Sequence, residues 1–204
     1  VIVGGDTGRS SSGIILDVTV IGEVINNRYL LRRGARDGDL LGVTGRLGLS
    51  GAGLWALRHE HNAPVLINAH SRPMPRIDEG QWLAAQPGVH AMIDISDGLI
   101  QDARHIAQRS KVGVNLDPSL LPVDADLEMF CREYNLDPYE FVLSGGEDYE
   151  LAFAVSPDDI DEILHRFRRE FHTPIHIVGS FTDAWRGVRV AGEESDIEGF
   201  DHFR

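Results

Sequence analysis

Two carboxylates stand at the i and i+3 positions of Asp94-Ile95-Ser96-Asp97-Gly98. The apolar Ala91–Ile95 run before them reads as a short buried strand. Leu99, Ala103, Ile106 and Ala107 after them have helical spacing. Alternation along the strand puts Asp94 on the Met92 face, while Ser96 and Asp97 fall at the strand-to-helix turn. Backbone N–H groups free at such a helix start attract phosphate. Two carboxylates beside a phosphate would repel it unless a cation lay between them, and Mg2+ suits that geometry because it is held by one or two carboxylates plus phosphate oxygens and water. The same residues, taken alone, could equally be a plain helix N-cap.

Three further groups could join that chemistry. Gly4-Gly5-Asp6-Thr7 follows an apolar start, so the backbone could approach a ligand closely while Asp6 holds metal; a simple turn is the alternative. Ser144-Gly145-Gly146-Glu147-Asp148-Tyr149-Glu150 pairs glycines with acids, and could also be a helix C-cap followed by a turn. Arg32 and Arg33, and Arg72 and Arg76 around two prolines, have the planar fork suited to phosphate, although surface ion pairs would use them just as well. His70 in a loop carries little signal. No serine–histidine–aspartate pattern, zinc-type Cys/His cluster or GxxxxGK[ST] loop stands out, so a nucleotide would be held in another way.

The elements that must position these groups alternate between strand and helix. Ile14–Val24 is rich in β-branched residues and reads as a long strand. Arg36–Asp39 is a turn, Leu40–Thr44 a strand, residues 45–53 a glycine-rich passage, and Leu54–Glu60 a helix. His70–Arg76 should be an extended loop, and Ile77–Ala85 a helix. Val112–Leu116 is a strand, Asp126–Tyr134 a helix with Leu127, Phe130 and Cys131 on one side, and Tyr149–Val155 a strand. Ser156 reads as an N-cap with Pro157 at the first helical position, opening a helix whose Ile160, Leu164, Phe167 and Phe171 share a face. Ile175–Val178 and Val188–Val190 are the last strands. About six strands and four or five helices imply an α/β layered domain, a mixed sheet with helices packed on it.

Composition narrows the class. The 204 residues are 42% hydrophobic and 25% charged, which is ordinary for a globular chain with a real core. A net charge of −13 argues against a nucleic-acid partner. No apolar run reaches the roughly 20 residues that span a bilayer, so no membrane role is expected. The single cysteine, Cys131, fits a reducing, cytoplasmic setting and a small buried hydrophobe. The chain opens on Val1 without a methionine and runs at once into Gly4-Gly5-Asp6, which reads as the tail of a strand whose partners lie upstream.

Taken in order, GGDT, LRRGARDGDLLGVTG, HSRPMPR, MIDISDGL, SGGEDYEL and GFDHF resemble the thiamine-monophosphate kinase family, within the aminoimidazole-ribonucleotide-synthetase-like superfamily, from Val3 to Phe203. The resemblance implies transfer of the γ-phosphate of ATP to thiamine monophosphate, giving thiamine diphosphate. It implies magnesium at Asp6, Asp94 and Asp97, with Asp94 and Asp97 as the catalytic pair. It implies ATP contacts from Gly5, Asp6, Arg32 and Ser96, and substrate contacts from Glu147 and Phe200, whose ring suits a cationic thiazolium. It further implies that residues 1–24 end an N-terminal ATP-binding domain and linker strand, that 25–204 form the C-terminal kinase domain, and that the parent is a homodimer. Family members carry roughly a hundred residues before GGDT, so this chain alone is expected to be nearly inactive. Gly8 stands where a second threonine is usual, and Arg33 where a serine is. A selenophosphate synthetase or hydrogenase-maturation type of enzyme, or a non-catalytic binding or oligomerisation domain, are the competing readings.

Overall fold

The computed structural model describes residues 2–24 and 28–195. Its elements run β1 (Leu40–Thr44), α1 (Leu49–Arg58), α2 (Pro64–Ser71), α3 (Ile77–Ala84), β2 (Val89–Ile95), α4 (Leu99–Ser110), β3 (Gly113–Leu116), α5 (Ala125–Tyr134), α6 (Pro138–Ser144), β4 (Glu150–Val155), α7 (Ile160–Glu170), β5 (Ile175–Thr182), β6 (Gly187–Val190) and β7 (Glu193–Glu194). The seven strands form one mixed sheet in the order β2-β4-β1-β5-β3-β6-β7. Only the β3–β6 pair is parallel.

Alternation along the strands divides the core in two. Leu41, Val43, Ile93, Ile95, Ala152 and Ala154 face a layer made by α1, α2, α4, α5 and α6. Phe153, Val155 and Ile175 face α3 and α7, through Leu83, Ile160, Ile163 and Phe167. The period of two along β4 therefore serves both helical layers at once. Cys131 lies in the first core at 1% exposure, and burial raises its thiol pKa to about 11. It is a packing residue, inert as a nucleophile at neutral pH.

Several expectations need correction. There are seven strands and seven α-helices among the described residues, more than the about six strands and four or five helices expected. Residues 14–24 form no strand: Ile14 and Ile21 are 91% and 89% exposed and no strand of the sheet pairs with them. A β-branched run is only compatible with a strand; the ladder itself needs a partner edge. The helix expected from Leu54 begins at Leu49, because burial of Leu49, Ala52, Gly53 and Ala56 outweighs the poor helix propensity of glycine. Helix α2, with Pro64 in its first turn, extends through His70 and Ser71, so only 72–76 form the expected loop. Ser156 does not cap α7. Residues 157–159 make a turn, stitched by the Ser156 hydroxyl accepting the Asp158 amide, and the helix starts after Asp159.

Candidate active site

Antiparallel pairing of β2 with β4 sets Ile95 opposite Glu150. The turn that leaves β2, Ser96-Asp97-Gly98, therefore lies beside the loop that enters β4, Gly145 to Tyr149. Two backbone bonds extend the ladder across these loops: the Glu147 amide donates to the Ser96 carbonyl at 2.8 Å, and the Tyr149 amide to the Ile95 carbonyl at 2.9 Å. Gly146 packs directly on the Ser96 carbonyl, so a side chain there would collide with it. Gly98 has φ 101° and ψ 150°, a region only glycine occupies readily, and a Cβ on it would lie 2.9 Å from the Ser144 backbone. The two motifs are thus one rigid unit.

Helix α4 anchors that unit from below. Leu99, Ile100, Ala103, Ile106 and Ala107 are all fully buried, and burying each of the three larger side chains, Leu99, Ile100 and Ile106, stabilises by about 1.5–3 kcal/mol. Asp102 on the first turn is 1% exposed. One of its oxygens, Oδ2, accepts both the Ser96 and the Asp97 amide at 3.0 Å. These two N–H groups, which precede the helix, are already engaged by Asp102 and are not open to phosphate. Asp94 is exposed on the Met92 face and Asp97 is half-buried.

Negative charge accumulates here. Burial first, and then the charges of Asp97 and Asp94, push the Asp102 carboxyl up to about 7, against the lowering effect of its two amide bonds. Asp97, Asp102 and His105 offer ligand atoms within 4.8 Å of one another. Burial and the Arg32 guanidinium hold His105 below its ordinary pKa, which favours its neutral form. A set of hard carboxylate oxygens whose repulsion a cation would relieve fits a divalent ion such as Mg2+.

Arg32 reaches the same region. The Met92 amide donates to the Leu31 carbonyl at 3.1 Å, which lays residues 30–33 along β2. Arg32, Arg33, Asp94 and Arg109 line one open cavity of about 580 Å³. The structure therefore brings together Arg32, Asp94, Ser96, Asp97 and Glu147. It does not bring in Gly5 and Asp6. Gly5 has open space around it, and Asp6 is exposed with its carboxylate accepting the Thr7 amide. Phe200 lies outside the described residues.

The loop around Glu147 carries its own strain. Glu147 and Tyr149 both have positive φ, 65° and 53°, an uncommon conformation for residues with side chains. The Tyr149 hydroxyl donates to Glu147 Oε2 at 3.1 Å. Glu147 lines a second cavity of about 280 Å³ with Leu54, Arg58, His70 and Phe141. Asp148 accepts the Gly48 and Ser50 amides, and burial pushes its carboxyl up to about 7. Glu150 is buried, accepts the Thr44 hydroxyl at 2.7 Å and accepts Arg76 Nε and Nη2, each at 2.7 Å. Arg76, expected as a phosphate ligand or a surface ion-pair former, is instead committed to this pair. Ser50 Oγ and His70 Nδ1 are 3.0 Å apart.

Sequence reasoning missed Asp102, His105 and the locking roles of Asp148 and Glu150. An acid in the first turn of the helix after Gly98 was the available signal for Asp102, since acids there meet free amides and the helix dipole.

Residues 36–192 match the family model for AIR synthase related protein, C-terminal domain. A thiamine-monophosphate kinase of Aquifex aeolicus is 36% identical over 207 residues, covering 99% of this chain and 63% of the relative. The structure of a thiamine-monophosphate kinase from Stenotrophomonas maltophilia superposes with a TM-score of 0.76 at 33% identity, over 84% of this chain and 56% of that one. AaThiL complexed with AMPPCP and TMP superposes at 0.74 and 37% identity, over 84% and 53%. The chain thus spans less than two thirds of the length of the curated relatives it matches.

Proposed function

We propose that this chain, which belongs to the AIR synthase related protein family through its C-terminal domain, is part of an ATP-dependent kinase that converts thiamine monophosphate to thiamine diphosphate. The observation that carries the reading is the pairing of the Asp94–Gly98 turn with the Glu147 loop by two backbone bonds. In this reading the pairing would keep Asp94 and Asp97, on the phosphate side, in register with Glu147, on the acceptor side. A neighbour solved with AMPPCP, an analogue of ATP, and with TMP supports the choice of both substrates.

The chemistry is in-line phosphoryl transfer, in which the protein positions groups and offsets charge. Asp94 and Asp97 would hold Mg2+, which supplies charge neutralisation at the transferring phosphoryl group. Arg32, in the cavity beside Asp94, orients the nucleotide. Ser96 offers its hydroxyl to the same ligand. Glu147, fixed by Tyr149, orients the acceptor through its cationic ring, and Phe200 would stack on that ring. The acceptor's phosphate oxygen attacks directly, with no covalent intermediate on the protein. Within this reading Gly5 and Asp6 belong with residues 1–24 to the end of an ATP-binding domain, and 25–204 form the kinase domain. The parent is a cytoplasmic homodimer. No described helix is long and apolar enough to cross a membrane.

Neither a selenophosphate-synthetase type of activity nor a purely non-catalytic role draws support from a specific contact. The test is direct: incubate the intact protein with ATP, Mg2+ and thiamine monophosphate and separate the products. ADP and thiamine diphosphate in equal amounts support the reading; ATP consumed without thiamine diphosphate, or not at all, refutes it.

A further inference from the structure

We infer that Asp102 is a positioning residue, which presents the Asp97 carboxylate to the metal by holding the Ser96 and Asp97 amides. The inference rests on the proposed role of Asp97 as a metal ligand. It goes beyond that role by assigning a task to a carboxylate that reaches no substrate in the account above.

Three observations carry it. Asp102 is 1% exposed, and a carboxylate is almost never enclosed without a partner that requires it. Its partners are the two backbone amides of the turn itself, both at 3.0 Å. Those amides belong to the residue that bears the ligand and to the one before it, so the bonds fix the peptide from which the Asp97 side chain departs. The scaffold behind Asp102 is rigid, because Ala103 and Ile106 on the same helix are fully buried. A loose turn would let Asp97 sample many rotamers, and a metal would have to order it on binding. Groups that orient metal ligands in this way typically change affinity by about 10- to 100-fold when removed.

One detail makes the idea sharply testable. Both amides converge on a single oxygen, Oδ2. Asparagine has one carbonyl oxygen and can accept both bonds without the charge. A positioning role therefore survives Asp102→Asn, whereas a direct ligand role does not, even though Asp102 lies within ligating reach of Asp97 and His105.

The experiment uses the intact protein, Mn2+ as the metal probe followed by calorimetry or by its electron paramagnetic resonance signal, and hydrogen–deuterium exchange across residues 95–98. Neither readout needs thiamine monophosphate or turnover, so a failed kinase assay and a failed positioning role are told apart. Asp102→Ala should weaken Mn2+ binding about 10- to 100-fold and speed exchange at residues 96 and 97. Asp102→Asn should keep both within about twofold of wild type, because its carbonyl oxygen can still accept both amides and leaves neither unsatisfied. If Asp102→Ala does not fold, Asp102→Asn decides alone: retained Mn2+ affinity supports positioning, and a loss equal to that of Asp97→Asn overturns it in favour of direct ligation. Unchanged Mn2+ affinity and unchanged exchange in Asp102→Ala, with only a lower melting temperature, also overturn it. So does an intact wild type that binds no Mn2+.

Discussion

At the scale of single residues, the account turns on carboxylates with different environments and therefore different tasks. Asp94 is exposed on the sheet face that shares a cavity with Arg32. Asp94→Asn in the intact protein should lower turnover by about 10²–10³, the usual loss when a charge-stabilising group is removed, with little change in melting temperature. Steady-state kinetics beside a thermal melt check this. Asp148 makes a different prediction. Its folded carboxyl sits at about 7, against an ordinary 3.8. The folded state holds that proton longer than the unfolded chain does, so its contribution to stability is complete below about pH 4 and is lost as pH rises through 7. The stability advantage of wild type over Asp148→Asn should therefore shrink between pH 5 and pH 8, as read from urea midpoints at the two pH values. The placement of Asp94, Ser96 and Asp97 at a strand-to-helix turn was legible from their motif. Asp102 was not, because which amides it meets depends on the path of the turn, and residue spacing does not encode that path.

At the scale of elements, the site is a strand-to-helix turn clamped against a helix-to-strand loop. Gly98 is where the clamp is tightest. Gly98→Ala forces an unfavourable φ and a contact with Ser144, and should destabilise by about 1–3 kcal/mol, seen as a lower denaturation midpoint. The Arg76–Glu150 pair secures the other side of the loop. Glu150 is 4% exposed, so Arg76→Met strands a buried carboxylate and should cost about 3 kcal/mol, whereas replacing both partners by apolar residues should recover much of that loss. A double-mutant cycle measures it. Strands β1 and β2 and helices α3, α4 and α5 were legible within a residue or two, since apolar periodicity there agrees with burial on both sides. Helix α2 and the early start of α1 were not, because their glycines, prolines and histidine signal loop, and only their packing on each other makes them helical. The β-branched run at 14–24 misled for the opposite reason: its propensity is real, but no edge in the described residues pairs with it.

At the scale of the molecule, the layered mixed-sheet class followed from alternating elements, but the strand order did not. Nothing local says that β2 pairs with β4 across 54 residues between Ile95 and Glu150, and it is this pairing that makes one site out of two motifs. The relatives extend well beyond the matched region, with 36–37% of their length unmatched. Asp6 is not brought to the carboxylate cluster by the described residues. The 204-residue chain assayed by itself should accordingly show little or no thiamine diphosphate formation, and turnover near that of an intact relative would refute the division of labour proposed for residues 1–24 and 25–204. The most direct test of the central claim is a Mg2+ titration of thiamine diphosphate formation from ATP and thiamine monophosphate, with the intact wild type beside Asp97→Asn. The account predicts Mg2+-dependent product in the wild type and a fall of about 10²–10³ in the variant. Equal turnover in the two proteins, or product formed without a divalent ion, would contradict it.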